Sequence, residues 1–143
     1  MKKEIWLVII LGIVFIILLG VLIWLPAKKA PKPIINGIEI ISPKANKEVF
    51  SPIKITGVVN RNGWGGFEGQ VGTVKLLDST GKQLGQTAIL SATTSWMQSQ
   101  ISFEANLNFI STEAQNGTLV FYNENPSGLP DKDKTFILPV KIK

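Results

Sequence analysis

The stretch that decides the fold is ISFEANLNF, residues 101–109. Apolar side chains stand at every odd position from Ile101 to Phe109, and Ser, Glu and Asn fill the even positions. Successive side chains of a β-strand point to opposite faces of its sheet. The alternation therefore predicts an antiparallel strand with one face on a core and the other in water.

The same kind of pattern recurs outward from this strand, in short runs broken by turn residues. Predicted strands cover residues 38–41, 53–59, 67–77, 83–90, 101–109, 118–122 and 135–142. Residues 78–81 and 116–117 are predicted turns, because each segment ends in a Gly, a residue that tolerates positive φ. Seven strands within residues 37–143 predict an all-β fold, an immunoglobulin-like antiparallel β-sandwich. A small open barrel is the alternative architecture.

A different segment precedes this body: residues 5–25 carry no charged side chain. A helix of that length is ~30 Å long, about one hydrocarbon core. Trp6 and Trp24 stand at its two ends, and Lys28 and Lys29 follow it, where they suit the membrane interface. We therefore expect a transmembrane helix here, with the lipid bilayer as its partner and the cell membrane as its location.

A cleaved signal peptide is the competing interpretation of this segment. Its apolar region usually has only about 7–15 residues, with small residues before the cut. The residues before Ala27 do not fit that pattern, which favours an uncleaved anchor. We expect residues 1–4 to be a short cytoplasmic tail and residues 37–143 to be extracytoplasmic. Between them, residues 26–36 are rich in Pro and Lys and predict an extended linker.

Composition excludes several classes of function. The chain contains no Cys and no His, so disulfides and thiolate chemistry are absent and the commonest general base is missing. We therefore predict no enzyme activity and no cofactor. The formal charge is +5, but residues 37–143 carry ten basic and nine acidic side chains. The body thus lacks the basic excess that nucleic acids attract, and we predict no nucleic-acid partner.

Several stretches of the body follow one another in a recognisable order. They are residues 40–43 (IISP), 49–57 (VFSPIKITG), 66–69 (GFEG), 74–81 (VKLLDSTG), 103–109 (FEANLNF), 117–120 (GTLV), 125–128 (NPSG) and 138–140 (LPV). Together they resemble the immunoglobulin-like domain of bacterial spore-germination proteins. The resemblance implies an extracytoplasmic immunoglobulin-like fold with an interaction or structural role. It brings no catalytic residues to this chain, and it does not imply a role in germination.

The Gly-rich loop NRNGWGGFEG, residues 60–69, is the main candidate for a binding surface. It lacks the Lys-Ser/Thr ending of a P-loop and opens no helix, so phosphate binding is not expected. One interpretation is a plain flexible turn from which Phe67 begins a strand. The functional interpretation is a recognition loop with Trp64 exposed and Arg61 beside it, since Trp and Arg are favoured interface anchors.

Trp96 also has two interpretations. Its ring closes one end of the core, or it joins Trp64 in an aromatic platform for a glycan or a protein. The candidate binding surface accordingly consists of four residues, namely Arg61, Trp64, Phe67 and Trp96.

Residues 123–133, NENPSGLPDKD, are rich in the oxygen atoms that Ca²⁺ prefers. They do not follow the EF-hand spacing, and Lys132 and Lys134 oppose a cation. A structural turn is therefore the expected role of this segment, and no metal site is predicted.

These observations predict a membrane-anchored extracytoplasmic binding or scaffold module with an unidentified protein partner in the cell envelope. Two alternatives stay open. One is a structural subunit of an envelope complex, in which Gly12 and Gly20 give the helix a packing face. The other is a cell-wall glycan-binding module that uses exposed Trp.

Overall fold

The computed structural model describes residues 3, 4, 6, 37–111 and 113–143. The predicted transmembrane helix at residues 5–25, apart from Trp6, and the linker with Lys28 and Lys29 lie outside the described residues. In the part of the chain that is described, no helix is long and apolar enough to cross a membrane. Contacts divide the chain into two units, Met1–Lys32 and Pro33–Lys143, and the β-structure belongs to the second.

Eight strands and one 3₁₀ helix form the described part of the second unit, which confirms the all-β prediction. The strands are β1 (Ile38–Ser42), β2 (Glu48–Val49), β3 (Ile53–Val59), β4 (Gln70–Leu77), β5 (Gln83–Ala92), β6 (Ile101–Leu107), β7 (Gln115–Asn123) and β8 (Thr135–Ile142). The 3₁₀ helix covers Pro130–Lys132.

The strands follow one another in the order β1-β3-β6-β5-β4-β7-β8-β2. Neighbours are antiparallel except β2 and β8, which run parallel over two residues. Between β5 and β6, the ladder consists of the pairs Ser91–Glu104 and Ala92–Phe103. The strands therefore form two halves, β1-β3-β6 and β5-β4-β7-β8-β2, and among the described residues this short ladder is the strand pairing that links them.

A single hydrophobic core lies between the two halves. Alternate residues of β3 and β6 are buried, and β8 shows the same period. The buried side chains of both halves belong to one cluster, which includes Ile55 and Phe103 from the first half and Leu76 and Phe121 from the second. Since each half buries one face, and these faces share one core, the halves face each other as the two layers of a sandwich.

The predicted turn at residues 116–117 is wrong, because β7 runs straight through it. Gly117 pairs with Val140 of β8, and a Cβ at Gly117 would lie 2.4 Å from Cδ1 of Ile142. The glycine therefore makes room for a core side chain of the neighbouring strand rather than supplying a turn.

The predicted strand at residues 67–77 starts later than expected. Phe67 and Gln70 exchange backbone hydrogen bonds of 2.8 and 3.0 Å, which closes a tight turn before β4. Glu68 and Gly69 hold this turn with φ of 50° and 85°. The turn leaves Phe67 in the preceding loop.

β1 lies at one end of the strand order, so its outer edge has no partner strand among the described residues. The carbonyl of Gly37 bonds toward β3, where it accepts from Asn60 N. Backbone groups alternate in direction along a strand, so the carbonyl of Ile40 points to the open edge. Lys44 Nζ donates to that carbonyl oxygen over 3.2 Å. The ammonium group therefore covers one acceptor of the edge.

Candidate binding surface at the loop end

Three loops meet at the end of the sandwich where β1 begins and β3 finishes. They comprise residues 60–69, 93–100 and 124–134, and we call this region the loop end. Asn60 N donates to the carbonyl of Gly37 over 3.0 Å, which fixes the first loop beside the start of β1. Hydrogen bonds from Arg61 and Asn123 join it to the other two loops.

Arg61 connects the first loop to the second. Its Nε donates to the carbonyl oxygen of Gln98 over 2.7 Å. Its Nη2 donates to the carbonyl oxygens of Met97 over 2.6 Å and Trp96 over 3.4 Å. Arg61 adopts a φ of 62°, a backbone conformation that residues other than Gly rarely take. The guanidinium therefore orders the second loop through its Nε and Nη2 donors.

Phe67 and Trp96 stand together on the surface of the loop end. Their ring centroids lie 6.2 Å apart in an edge-to-face arrangement. Phe67 is 42% exposed and Met97, next to Trp96, is 68% exposed. We call Phe67, Trp96 and Met97 the loop-end cluster. Large exposed apolar side chains gathered on loops are typical of a contact surface.

Gly66 permits the two loops to approach this closely. A Cβ at Gly66 would lie 2.9 Å from Cβ of Trp96 and 3.0 Å from Cδ1 of Ile101. The Gly-rich sequence of the first loop thus serves close packing against the second loop.

Trp64 occupies a different environment from the one predicted. It is only 2% exposed and belongs to the hydrophobic core. Gly37 packs against its ring, since a Cβ there would lie 2.7 Å from Trp64 Cδ1. The expectation of an exposed Trp64 is therefore wrong, and a surface platform made by Trp64 and Trp96 does not form.

Asn123 holds the third loop against the first. Its Nδ2 donates to the carbonyl oxygens of Gly63 over 3.1 Å and Lys132 over 3.0 Å. Its Oδ1 accepts from the backbone N–H of Lys134 over 2.8 Å. A shallow cavity of about 790 Å³ lies between these loops. One amide at the end of β7 thereby fixes the relative positions of both loops.

The segment considered for Ca²⁺ uses its oxygens within the loop. Asn125 Nδ2 donates to Asp133 Oδ1 over 2.7 Å, and Asn125 Oδ1 accepts from Ser127 Oγ over 2.6 Å. Asp131 pairs with Lys132 over 2.9 Å. Within the described ranges, no three acidic side chains converge as metal ligands would. These contacts describe a hydrogen-bonded structural turn.

Sequence reasoning thus predicted part of this arrangement. Arg61, Phe67 and Trp96 come together as predicted, although Arg61 acts as a clamp and Trp64 lies beneath them. Met97 was missed, because Met is as common in cores as at contact surfaces and no pattern in the sequence separates the two. Its position beside Trp96 in a polar stretch is the only signal that the chain offers.

One protein family matches the body of the chain. The family model of the immunoglobulin-like domain of bacterial spore germination matches residues 37–129, more than half of the chain. The match includes both loops that carry the loop-end cluster. No curated protein and no solved structure matches the chain.

Proposed function

The chain belongs to the family of the immunoglobulin-like domain of bacterial spore germination, and from this premise we propose that it is a non-catalytic binding or scaffold module. It acts outside the cytoplasm, and residues 5–25 anchor it in the cell membrane. Its partner is a protein of the cell envelope. The observation that carries the proposal is the exposed loop-end cluster, held by the three hydrogen bonds that Arg61 donates.

The chemistry of the cluster suits a protein partner. Aromatic residues and Met are enriched at protein interfaces, and Phe67, Trp96 and Met97 supply both. The clamp by Arg61 fixes the backbone of residues 96–98 before any partner arrives. A contact surface that is already ordered loses less conformational entropy on binding.

The membrane anchor rests on the apolar character of residues 5–25 and on the Trp and Lys residues that flank them. The non-catalytic role rests on the lack of Cys and His in the sequence.

The first experiment places a photoreactive amino acid at Met97 of the full-length chain in intact cells. The matched control carries it at Thr80, an exposed position in the turn after β4, away from the loop end. We expect a protein adduct from position 97 that is absent from position 80. Identical adducts from both positions, or none from position 97, would reject the loop end as the contact surface.

The second experiment tests the anchor and its orientation. Membranes from cells that produce the full-length chain are washed with alkaline carbonate, and intact spheroplasts are treated with protease. We expect the chain to stay in the membrane pellet, and the protease to remove residues 37–143 from outside. Release of the chain by carbonate, or protection from the protease, would contradict this part of the proposal.

A further inference from the structure

β5 and β6 diverge beyond their short ladder. Asn106 lies two residues beyond Glu104, the last residue of β6 that pairs with β5. Its backbone groups therefore point toward β5, and among the described residues no ladder pair joins it to that strand. The strands approach again where Gly85, with a φ of 72°, lies against the backbone of Asn108. A Cβ at Gly85 would lie 2.0 Å from the carbonyl oxygen of Asn108.

A cavity of about 470 Å³ opens along this approach, lined by residues 82–88 and by residues 106 and 108–110. Its size falls in the range of small-ligand pockets, roughly 300–1,000 Å³. None of its residues belongs to the loop-end cluster. The cavity is therefore a second candidate site, separate from the proposed contact surface.

The lining combines primary amides with apolar surface. Gln86, Asn106 and Asn108 are exposed, and within the described ranges their side chains make no hydrogen bond. Phe109 lines the cavity from the core side, and Ile110 beside it is 86% exposed. Unengaged amides next to an exposed Ile leave both polar and apolar contacts open to a ligand.

The rim of the cavity is ordered by its own hydrogen bonds. Gln83 Nε2 donates to the carbonyl oxygen of Gly85 over 3.1 Å and to Thr87 Oγ1 over 3.3 Å. Lys82 is the single charged residue among the described residues that line the cavity, and it gives the rim one positive charge. The other polar groups of this lining are uncharged amides and a hydroxyl, so most of its polar contacts with a ligand would be neutral hydrogen bonds.

We propose that this cavity binds a neutral saccharide. A primary amide offers one acceptor and two donors, so it can accept from one hydroxyl and donate to its neighbour on a sugar ring. The C–H face of the ring would pack on Ile110, which is exposed beside the buried Phe109. Addition of an extended peptide to β6 is disfavoured, because the contact between Gly85 and Asn108 closes the edge after a few residues.

The test is calorimetric titration of the full-length chain in lauryldimethylamine oxide, a detergent without a sugar headgroup. The probes are three neutral trisaccharides, namely triacetylchitotriose, cellotriose and maltotriose. We expect at least one to bind, and the double substitution Asn106→Ala with Asn108→Ala to raise its Kd roughly tenfold or more. Gln86→Ala on the opposite strand is an independent variant that should also weaken binding. Asn116→Ala, an exposed Asn of β7, is the matched control and should leave Kd unchanged.

Three results would overturn the proposal. One is that no trisaccharide binds at concentrations up to about 10 mM. Another is that the double variant, with an unchanged thermal midpoint, binds as tightly as the unsubstituted chain. The third is that Trp96→Ala removes binding while the double variant does not. That result would show that the saccharide binds at the loop end instead of in this cavity.

Discussion

The Nε atom of Arg61 lies 2.7 Å from the carbonyl oxygen of Gln98, a residue 37 positions further along the chain. With the two bonds from Nη2, one side chain binds the backbone of three successive residues. The planar fork of a guanidinium suits this task, because its donors diverge at fixed angles. The position of the loop-end cluster thus depends on a residue that itself contributes no apolar surface to it.

Replacing Arg61 should loosen the second loop. We expect Arg61→Ala to lower the free energy of unfolding by about 1 kcal/mol, since the three hydrogen bonds it removes are exposed to solvent. Amide exchange at residues 96–98 should become faster, while exchange in β3 stays slow. Arg61→Lys keeps the charge but not the fork, and should behave like the Ala variant. Unchanged exchange at residues 96–98 would refute the clamp.

The two tryptophans of the body should differ sharply on truncation. Trp64→Ala removes a ring that is 2% exposed, and we expect a loss of about 3–5 kcal/mol in the free energy of unfolding. Trp96→Ala, at the partly exposed ring against Phe67, should cost markedly less. Urea denaturation of the two variants measures the difference, with Trp64→Phe as a conservative control. Equal losses would contradict the burial of Trp64.

Two glycines separate the effect of backbone angle from that of close approach. Gly72 and Gly81 both have positive φ, of 147° and 86°. A Cβ at Gly72 would lie 2.0 Å from the carbonyl oxygen of Tyr122, whereas Gly81 has nothing within 4 Å. We expect Gly81→Ala to cost about 1–2 kcal/mol from strain alone and Gly72→Ala to cost more. Thermal denaturation of both variants provides the comparison. A smaller loss of stability for Gly72→Ala than for Gly81→Ala would contradict the prediction.

Asp78 should make stability depend on pH. The hydroxyl of Thr80 donates to its carboxylate over 2.7 Å and holds the pKa of Asp78 below its usual value. A pKa that is lower in the folded state means that the carboxylate stabilises the fold above the unfolded pKa. That contribution is lost as pH falls through the folded pKa. The advantage of the unsubstituted chain over Asp78→Asn in urea midpoint should therefore shrink between about pH 6 and about pH 2. A difference in urea midpoint that stays constant over this pH range would contradict the prediction.

The sequence predicted those elements whose pattern is local. The strands at residues 53–59 and 135–142 match β3 and β8 residue for residue, because one face of each strand is buried on the core. The turn after β4 was also predicted, and Gly81 there has a φ of 86°. In each case the signal lies within about ten residues.

The failures concern features that depend on distant residues. Gly117 resembles a turn residue until Ile142 of the next strand is placed against it. Trp64 lies in a polar, Gly-rich loop, and its burial follows from packing against Gly37. β2 has only two residues, too few to show any period, and its pairing is with the end of β8. The transmembrane helix and the binding roles of Phe67 and Trp96 remain predictions.

The hydrogen bond from Lys44 Nζ to the carbonyl oxygen of Ile40 matters most when many copies of the protein lie close together. An uncovered outer strand is a template to which the same strand of a neighbouring molecule can add, and a Lys at the edge opposes such addition. Acetylation of Lys44, or Lys44→Ala, should therefore favour dimers that pair through β1, visible as a doubling of the mass measured by light scattering at high protein concentration. The separation of neighbouring copies at high local density would then rest on one flexible side chain.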